Sequence, residues 1–166
     1  DIARRTYLFR TTGLGVANLS SLLMVMGYPY DSMEARAYAQ ALIGILTGES
    51  YKVSALMASQ VGAFPKYEIN KPYMQRVIRN HARVAGAKKD KLENLSYEPL
   101  MVNGDFLKDM GKEDILKALQ KSWKEALELG ESYGYRNAQV SVMAPTGTIS
   151  FAMDCGATSI EPFFSH

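Results

Sequence analysis

Apolar residues recur every three to four positions over most of this chain, and that spacing places them on one face of a helix. The pattern predicts five helices, at about 1–12, 15–26, 32–62, 72–85 and 113–132. Asp31 is a suitable N-cap for the third helix, with Glu34 completing a capping box. Gly27 and Gly134 are suitable C-terminal glycines for the second and fifth helices. The chain is therefore predicted to be helical over residues 1–134, with irregular connections.

Glycine and proline modify this pattern at three positions. Gly44 and Gly48 each weaken a helix by up to about 1 kcal/mol, so we expect close packing against a neighbour there, and the long helix can bend at these points. Pro72 is predicted to lie in the first turn of the fourth helix, where a missing N–H is tolerated. The stretch 86–111 contains two charge clusters and is predicted to be irregular and exposed.

One short strand is predicted near the C-terminus. Polar and apolar residues alternate from Gln139 to Met143, with Val140 and Val142 on the same side. A single strand cannot form a sheet, so its partner strands are expected elsewhere in a longer polypeptide. The abrupt start at Asp1 and the apolar end at 163–166 agree with that expectation. The predicted class is α/β, predominantly helical, with few strands of its own.

The strand leads through Ala144 into a loop of small and hydroxyl-bearing residues, Pro145-Thr146-Gly147-Thr148-Ile149-Ser150. Hydroxyl groups, free backbone N–H groups and a glycine that permits close approach are features of a phosphate-binding loop. A helical turn at 148–153 would add the positive end of its dipole. The alternative is an ordinary strand-to-helix turn with a threonine cap. No Gly-Lys-Ser/Thr follows, which excludes a Walker A loop, and the residues by themselves leave the two interpretations open.

Three further segments carry weaker signals. Cys155 follows Asp154, and nearby acidic groups disfavour a thiolate, so a small buried residue is favoured over a nucleophile. Glu161 is either a structural acceptor of backbone N–H groups or a catalytic acid. Gly13-Leu14-Gly15 lacks the third glycine of a dinucleotide-binding fingerprint, because Asn18 stands at that position.

Basic residues concentrate between Arg76 and Lys91, where only Asp90 carries the opposite charge. A phosphate-binding patch is one interpretation of this run. Runs of like charge more often form a solvated face, so an exposed helix surface is the favoured interpretation.

Composition narrows the class of protein further. The chain has 166 residues, 47% hydrophobic and 22% charged, with a formal net charge of +2, which gives no reason to expect nucleic acid or a membrane as a partner. A single cysteine excludes an internal disulfide and a zinc site of paired cysteines. His81 and His166 are far apart in sequence, so no metal site is predicted. No signal peptide or apolar run of about 20 residues is recognisable, and a cytoplasmic location is expected.

Ordered motifs run through the whole chain. Those in the N-terminal half are Gly13-Leu14-Gly15-Val16-Ala17-Asn18-Leu19, Leu22-Leu23-Met24, Pro29-Tyr30-Asp31-Ser32 and Thr47-Gly48-Glu49. Those further along are Arg76-Val77-Ile78-Arg79-Asn80-His81, Arg136-Asn137-Ala138-Gln139, Ala144-Pro145-Thr146-Gly147-Thr148-Ile149, Met153-Asp154-Cys155 and Ile160-Glu161-Pro162. Taken in this order, they closely resemble the adenosylcobalamin-dependent, class II ribonucleotide reductases.

The resemblance implies that residues 1–166 are part of a ten-stranded α/β barrel, whose complete form reduces ribonucleotides to 2′-deoxyribonucleotides by radical chemistry. It implies adenosylcobalamin as the cofactor of the complete enzyme and leaves open whether this chain takes part in binding it. The implied partners are a ribonucleotide substrate, the remaining portion of the reductase and a thioredoxin-type reductant, and a homo-oligomer is compatible with it. The loop 144–150 is expected to hold the substrate phosphates, with Asn137, Cys155 and Glu161 nearby in undefined roles.

Parts of the family pattern are missing from this chain. The family's radical cysteine lies in an Asn-x-Cys-x-Glu segment, and neither that segment nor the redox cysteine pair nor the C-terminal shuttle tail is present. We therefore expect no catalytic residue here and no activity of the chain alone. Ser159 stands where the family has glycine, which leaves the loop conformation after Cys155 open. The rival hypotheses are a non-catalytic assembly or regulatory subunit derived from such a barrel, and a stand-alone phosphate-binding module.

Overall fold

The computed structural model describes residues 1–163, which form mainly helices. Residues 164–166, most of the apolar end noted above, lie outside the described range. Seven helices are present within that range: α1 (Ile2–Phe9), α2 (Leu19–Val25), α3 (Met33–Val61), α4 (Tyr67–Val84), α5 (Gly104–Asp109), α6 (Glu113–Tyr133) and α7 (Gly147–Ala152).

The two longest helices, α3 and α6, pack against each other at the centre of the fold. Two glycines of α3 lie at this contact. A Cβ atom at Gly44 would lie 2.6 Å from Leu119 Cδ1, and one at Gly48 would lie 2.5 Å from Ser122 Oγ and 3.2 Å from Trp123 Cδ1. The prediction of close packing at these glycines is confirmed.

Aromatic rings fill the space between α3, α4 and α6. Tyr135 lies nearly perpendicular to Tyr51 of α3 and Tyr67 of α4, with ring centroids 5.6 and 6.2 Å apart. Its hydroxyl donates to the carbonyl oxygen of Ala126 at 3.0 Å, and burial raises the pKa of Tyr135 far above its usual value. A second, smaller group of buried side chains joins α2 to α3: Leu19, Leu23, Ala35 and Tyr38.

Left-handed backbone conformations shorten the first two predicted helices. α1 ends at Phe9 because Arg10 has a φ of 48°, and α2 begins only at Leu19 because Asn18 has a φ of 65°. Gly27, just beyond α2, has the positive φ of 74° expected of a C-terminal glycine. These local conformations are invisible to a periodicity argument, since the spacing of apolar residues does not report the backbone angles of a single residue.

The other boundaries agree more closely, with two corrections. α6 matches its prediction to within one residue, and Gly134 beyond it has a φ of 70°. The N-cap of α3 is Ser32, whose Oγ accepts from the N–H of Ala35 at 3.1 Å, rather than Asp31. α4 begins five residues before Pro72, because Tyr67 is buried in the aromatic core and extends the helix toward it. The short helix α5 lies inside the stretch that was predicted to be irregular.

The predicted strand at 139–143 is part of a short parallel ladder with residues 9–14. The hydrogen bonds across the pair run from Thr12 N–H to the Gln139 oxygen (2.9 Å), from Leu14 N–H to the Val140 oxygen (2.9 Å) and from Val142 N–H to the Leu14 oxygen (2.8 Å). Only the bridge between Leu14 and Ser141 is regular enough to be assigned within residues 1–163. The pair has no third strand in the described part of the chain, which explains why it stays short.

The basic run between Arg76 and Lys91 is partly internal. Arg79 binds both carboxylate oxygens of Glu93, each at 2.7 Å. Arg83 is only 5% exposed and pairs with the same carboxylate at 2.6 Å and with Asp90 at 2.8 Å. The expectation of a solvated face is therefore wrong for these two arginines, whose charges are compensated and which attach the following segment to α4.

Large apolar side chains remain exposed on several helices, and α2 and α3 carry eight of them. They are Leu22, Met24 and Val25 on α2, and Met33, Val53, Leu56, Met57 and Val61 on α3. Exposed faces of this kind are expected where further polypeptide packs against a helix. Among residues 1–163, no helix combines the length and the apolar character that crossing a membrane requires.

Replacing Gly48 with alanine is expected to lower the free energy of unfolding by about 1–3 kcal/mol, although alanine favours helix, because the new methyl group overlaps Ser122 and Trp123. Gly44→Ala is expected to cost less, since its neighbour is the flexible end of Leu119. Urea denaturation of the two variants and the unchanged chain measures the difference. A Gly48→Ala variant as stable as the unchanged chain would contradict this packing.

The ion pairs of Glu93 predict a pH dependence. Hydrogen bonds from Arg79 and then Arg83 lower the pKa of Glu93 from 4.5 to about 2. A lowered pKa in the folded state means that the stabilisation is complete above about pH 4.5 and is lost as the pH falls toward 2. Glu93→Gln is therefore expected to lower stability at neutral pH by about 1 kcal/mol and to flatten the profile below pH 4.5.

Urea unfolding midpoints between pH 2 and 7 test this expectation. The matched control is Glu98→Gln, because Glu98 is exposed and has no ion pair within residues 1–163. If Glu93→Gln and Glu98→Gln gave the same pH profile, the arginine pairs would not stabilise the fold.

Candidate functional site

Asn137 holds the start of the ladder segment that leads to the predicted loop. Its backbone N–H donates to Ser54 Oγ at 2.9 Å, and its side-chain oxygen accepts from the same hydroxyl at 2.8 Å. Its side-chain nitrogen donates to the carbonyl oxygen of Arg10 at 2.8 Å. Asn137 thus joins α3 to both segments of the ladder, and in this structure its role is to hold them together.

A second hydroxyl of α3 supports the same segment further along. Thr47 Oγ1 donates to Ser141 Oγ at 3.0 Å. Sequence reasoning missed Ser54 and Thr47 as supports, because small hydroxyl residues at helical positions look like any others. The one available signal was that Thr47 belongs to an ordered motif.

The predicted phosphate loop follows directly after this segment. Thr146 has left-handed backbone angles (φ 52°, ψ 27°), which are rare for a β-branched residue, and α7 begins at the next residue, Gly147. The hydroxyls of Thr146 and Ser150 are hydrogen-bonded to each other at 3.0 Å, and the Ser150 N–H donates to the Thr146 carbonyl oxygen at 2.8 Å. Ser150 is 1% exposed, so its hydroxyl closes the loop internally and does not face solvent.

The donors left available are the backbone N–H groups of 147–149 and the hydroxyl of Thr148. The first turn of a helix has no intrahelical acceptors for its N–H groups, and no side chain caps α7. Thr148 is exposed, and its side chain makes no hydrogen bond within residues 1–163. No heavy atom lies within 4 Å of a Cβ position at Gly147, so a ligand can approach the backbone there. Of the other predicted loop residues, Ala144 is half-buried, whereas Pro145 and Ile149 are exposed.

The chain beyond α7 folds back onto the loop. The N–H of Cys155 donates to the Ser150 carbonyl oxygen at 2.9 Å, and the N–H of Ser159 donates to the Pro145 carbonyl oxygen at 3.1 Å. The Cys155 thiol is free and half-buried. Cys155 therefore lies beside the loop and contacts it through its backbone rather than through sulfur.

The carboxylate of Glu161 is hydrogen-bonded to a nearby side chain of the segment that follows Cys155. Its Oε2 accepts from Thr158 Oγ1 at 2.9 Å, and this hydrogen bond lowers the pKa of Glu161 below its usual value. A general acid must hold its proton at the working pH, so the arrangement favours the interpretation of Glu161 as a structural acceptor.

Ser159 does not need the freedom of the family's glycine. Its φ is not among the positive values found in residues 1–163, so the segment after Cys155 runs without a left-handed turn at this position. The side chain is 1% exposed, and its hydroxyl has no hydrogen-bond partner in the described part of the chain.

Comparison with known proteins agrees with the ordered motifs. The profile of the family described as "Ribonucleotide reductase, barrel domain" matches residues 1–166. Vitamin B12-dependent ribonucleotide reductases of Bradyrhizobium diazoefficiens and Agrobacterium fabrum are each 49% identical to the chain, over 99% of its length. A ribonucleoside-diphosphate reductase subunit alpha of Chlamydia pneumoniae is 28% identical over 95% of the chain. The chain spans 13% of the length of each of these relatives.

The chain belongs to the ribonucleotide reductase family and forms part of its barrel domain. The resemblance drawn from the motifs is thereby confirmed. The predicted class is confirmed as well, since residues 1–163 are a mostly helical part of that barrel with almost no strand structure.

The relatives of Bradyrhizobium diazoefficiens and Agrobacterium fabrum are named as vitamin B12-dependent, so the cavities of residues 1–163 bear on whether this part of the chain could contact a cobalamin. Five of the cavities on residues 1–163 are open grooves of about 470–630 Å³, and no histidine or cysteine lines these five. Within the same residues, no three histidine, cysteine or carboxylate side chains come together as a metal site. These five grooves therefore present no imidazole or thiol ligand to the cobalt of a cobalamin.

Asn137→Ala is expected to destabilise the chain by about 1–3 kcal/mol, because it removes the acceptor of the Ser54 hydroxyl proton and the donor to the Arg10 carbonyl oxygen. Ser54→Ala is expected to have a similar effect, and the double variant should cost clearly less than the two single costs added together, since both changes break one network. Urea denaturation of the three variants provides the cycle. Strictly additive costs would show that the two side chains act independently.

Proposed function

We propose that this chain supplies the substrate-phosphate loop of a ribonucleotide reductase that converts ribonucleoside diphosphates to 2′-deoxyribonucleotides by radical chemistry. Membership of the family over residues 1–166 supports the reaction. The observation that carries the role of the loop is the group of unpaired donors at 147–149 and Thr148, at the end of a parallel ladder.

The backbone of the loop has the form that favours anions. A left-handed residue, Thr146, precedes the helical Gly147, and successive N–H groups in such a turn make a concave anion-binding surface. These donors are neutral, so they bind a phosphate by hydrogen bonding and need no lysine. The hydroxyl of Thr148 adds a further donor. It makes no hydrogen bond within residues 1–163 that would have to be broken when a phosphate binds.

The proposal assigns the remaining chemistry to other parts of the reductase. The radical cysteine and the redox cysteine pair must lie there, because the only cysteine of this chain is Cys155, beside the loop. Adenosylcobalamin is assigned there as well, since five grooves on residues 1–163 present no histidine or cysteine to its cobalt. The proposal further includes a thioredoxin-type reductant, a cytoplasmic location and the absence of activity from this chain alone.

Thr148→Val, introduced into the full-length reductase that contains this chain, is expected to weaken ribonucleoside diphosphate binding by roughly ten-fold or more, because a hydrogen bond to a charged phosphate is lost. Thr146→Val should weaken binding as well, and it also removes the internal bond to Ser150. Isothermal titration calorimetry measures both affinities, and cobalamin binding should stay unchanged.

The control is Thr11→Val, because Thr11 is an exposed threonine at the opposite end of the ladder from the loop. Its variant should bind substrate as the unchanged enzyme does. If Thr148→Val and Thr146→Val also left substrate affinity unchanged, the phosphate role of the loop would be excluded.

A further inference from the structure

The segment from Gly13 to Asn18 contacts both the strand that leads to the loop and the chain that follows the loop. Its glycines bring the chain against the strand that leads to the loop. A Cβ atom at Gly13 would lie 2.9 Å from Val142 Cγ1, and one at Gly15 would lie 3.0 Å from the Val142 carbonyl oxygen. The second clash is with backbone, which cannot swing aside, so the approach depends on the absence of a side chain at Gly15.

Asn18, at the end of this segment, binds the chain that returns beyond the loop. Its side-chain oxygen accepts from the Ala157 N–H at 3.2 Å, and its backbone N–H donates to the Thr158 carbonyl oxygen at 2.7 Å. The next residue, Leu19, donates its N–H to the Ser159 carbonyl oxygen at 3.2 Å. These bonds require the left-handed backbone of Asn18 (φ 65°, ψ 31°), a conformation that asparagine tolerates better than most residues.

The segment 157–159, called the returning segment here, connects Asn18 to the loop. Residues 157–159 are 1%, 8% and 1% exposed, so they are enclosed rather than free to move into solvent. Ser159 N–H then donates to the carbonyl oxygen of Pro145, the residue before Thr146. One further contact on the same segment, from the Tyr30 hydroxyl to the Ile160 carbonyl oxygen at 2.6 Å, holds its far end.

We propose that Asn18 is a positioning residue for substrate phosphate, which sets the loop at 145–148 through the segment 157–159 without touching the substrate. The ladder holds the loop from the side where the chain enters, and Asn18 holds it from the side where the chain returns. Donors that bind one phosphate must converge on a single point, and a displacement of about 1 Å is enough to lose much of their effect. This inference rests on the proposed function of the loop.

The test is Asn18→Gly in the full-length reductase, because glycine keeps the left-handed backbone and removes the side-chain oxygen that accepts from the Ala157 N–H and from Ser21 Oγ. Binding is measured for a ribonucleoside diphosphate and, by competition, for the corresponding ribonucleoside, which lacks phosphates. We expect the affinity for the diphosphate to fall by roughly 10- to 100-fold and that for the nucleoside to stay within about two-fold. The matched control is Asn94→Gly, an exposed asparagine that also has a positive φ, of 49°.

The possible outcomes separate this inference from the proposed function. If Thr148→Val weakens diphosphate binding and Asn18→Gly does not, the positioning role of Asn18 is overturned and the phosphate loop stands. Equal losses for diphosphate and nucleoside would also overturn it, because they would indicate a general structural role. If neither Thr148→Val nor Thr146→Val changes binding, the proposed function fails, and this inference fails with it.

Discussion

The contact between α3 and α6 is the constraint on which the rest of this structure depends. α3 has 29 residues and carries apolar side chains on more than one face. A helix of this kind is stable only when other elements pack against these faces and remove them from water. Gly44 and Gly48 let α6 cover one face closely enough to bury Trp123. A neighbouring face of α3 presents the hydroxyls that bond to the ladder. Part of the remaining surface of α3 is still exposed.

The path from this contact to the loop consists of small polar side chains. Ser54 and Thr47 attach the ladder to α3, and Asn137 joins its two segments at their start. The loop is then held between the ladder and the segment that returns beside α2. The proposed phosphate-binding role of the loop depends on such supports, because its donors are neutral and have no strong charge to compensate for poor geometry.

Local pattern predicted the helices well where a single apolar face packs on one neighbour, as in α6. It failed where a single residue changes the backbone, as at Asn18, and where burial outweighs a local rule, as at Tyr67 before Pro72. Local pattern also missed that Glu93 pairs with the arginines of the basic run. Glu93 lies fourteen residues from Arg79 and reaches it only because the chain turns back after α4. The composition of the sequence located the loop, but it did not identify the residues that hold the loop in place.

By itself, the sequence determined the helical character of the chain, the position of the hydroxyl-rich loop and the family, because these depend on local spacing and on the order of motifs. Only the tertiary structure decided which hydroxyls of that loop are occupied internally and which are available. It also decided which distant residues Asn137 and Asn18 bond to. Such contacts depend on how distant segments come together, and no property of either segment alone specifies them.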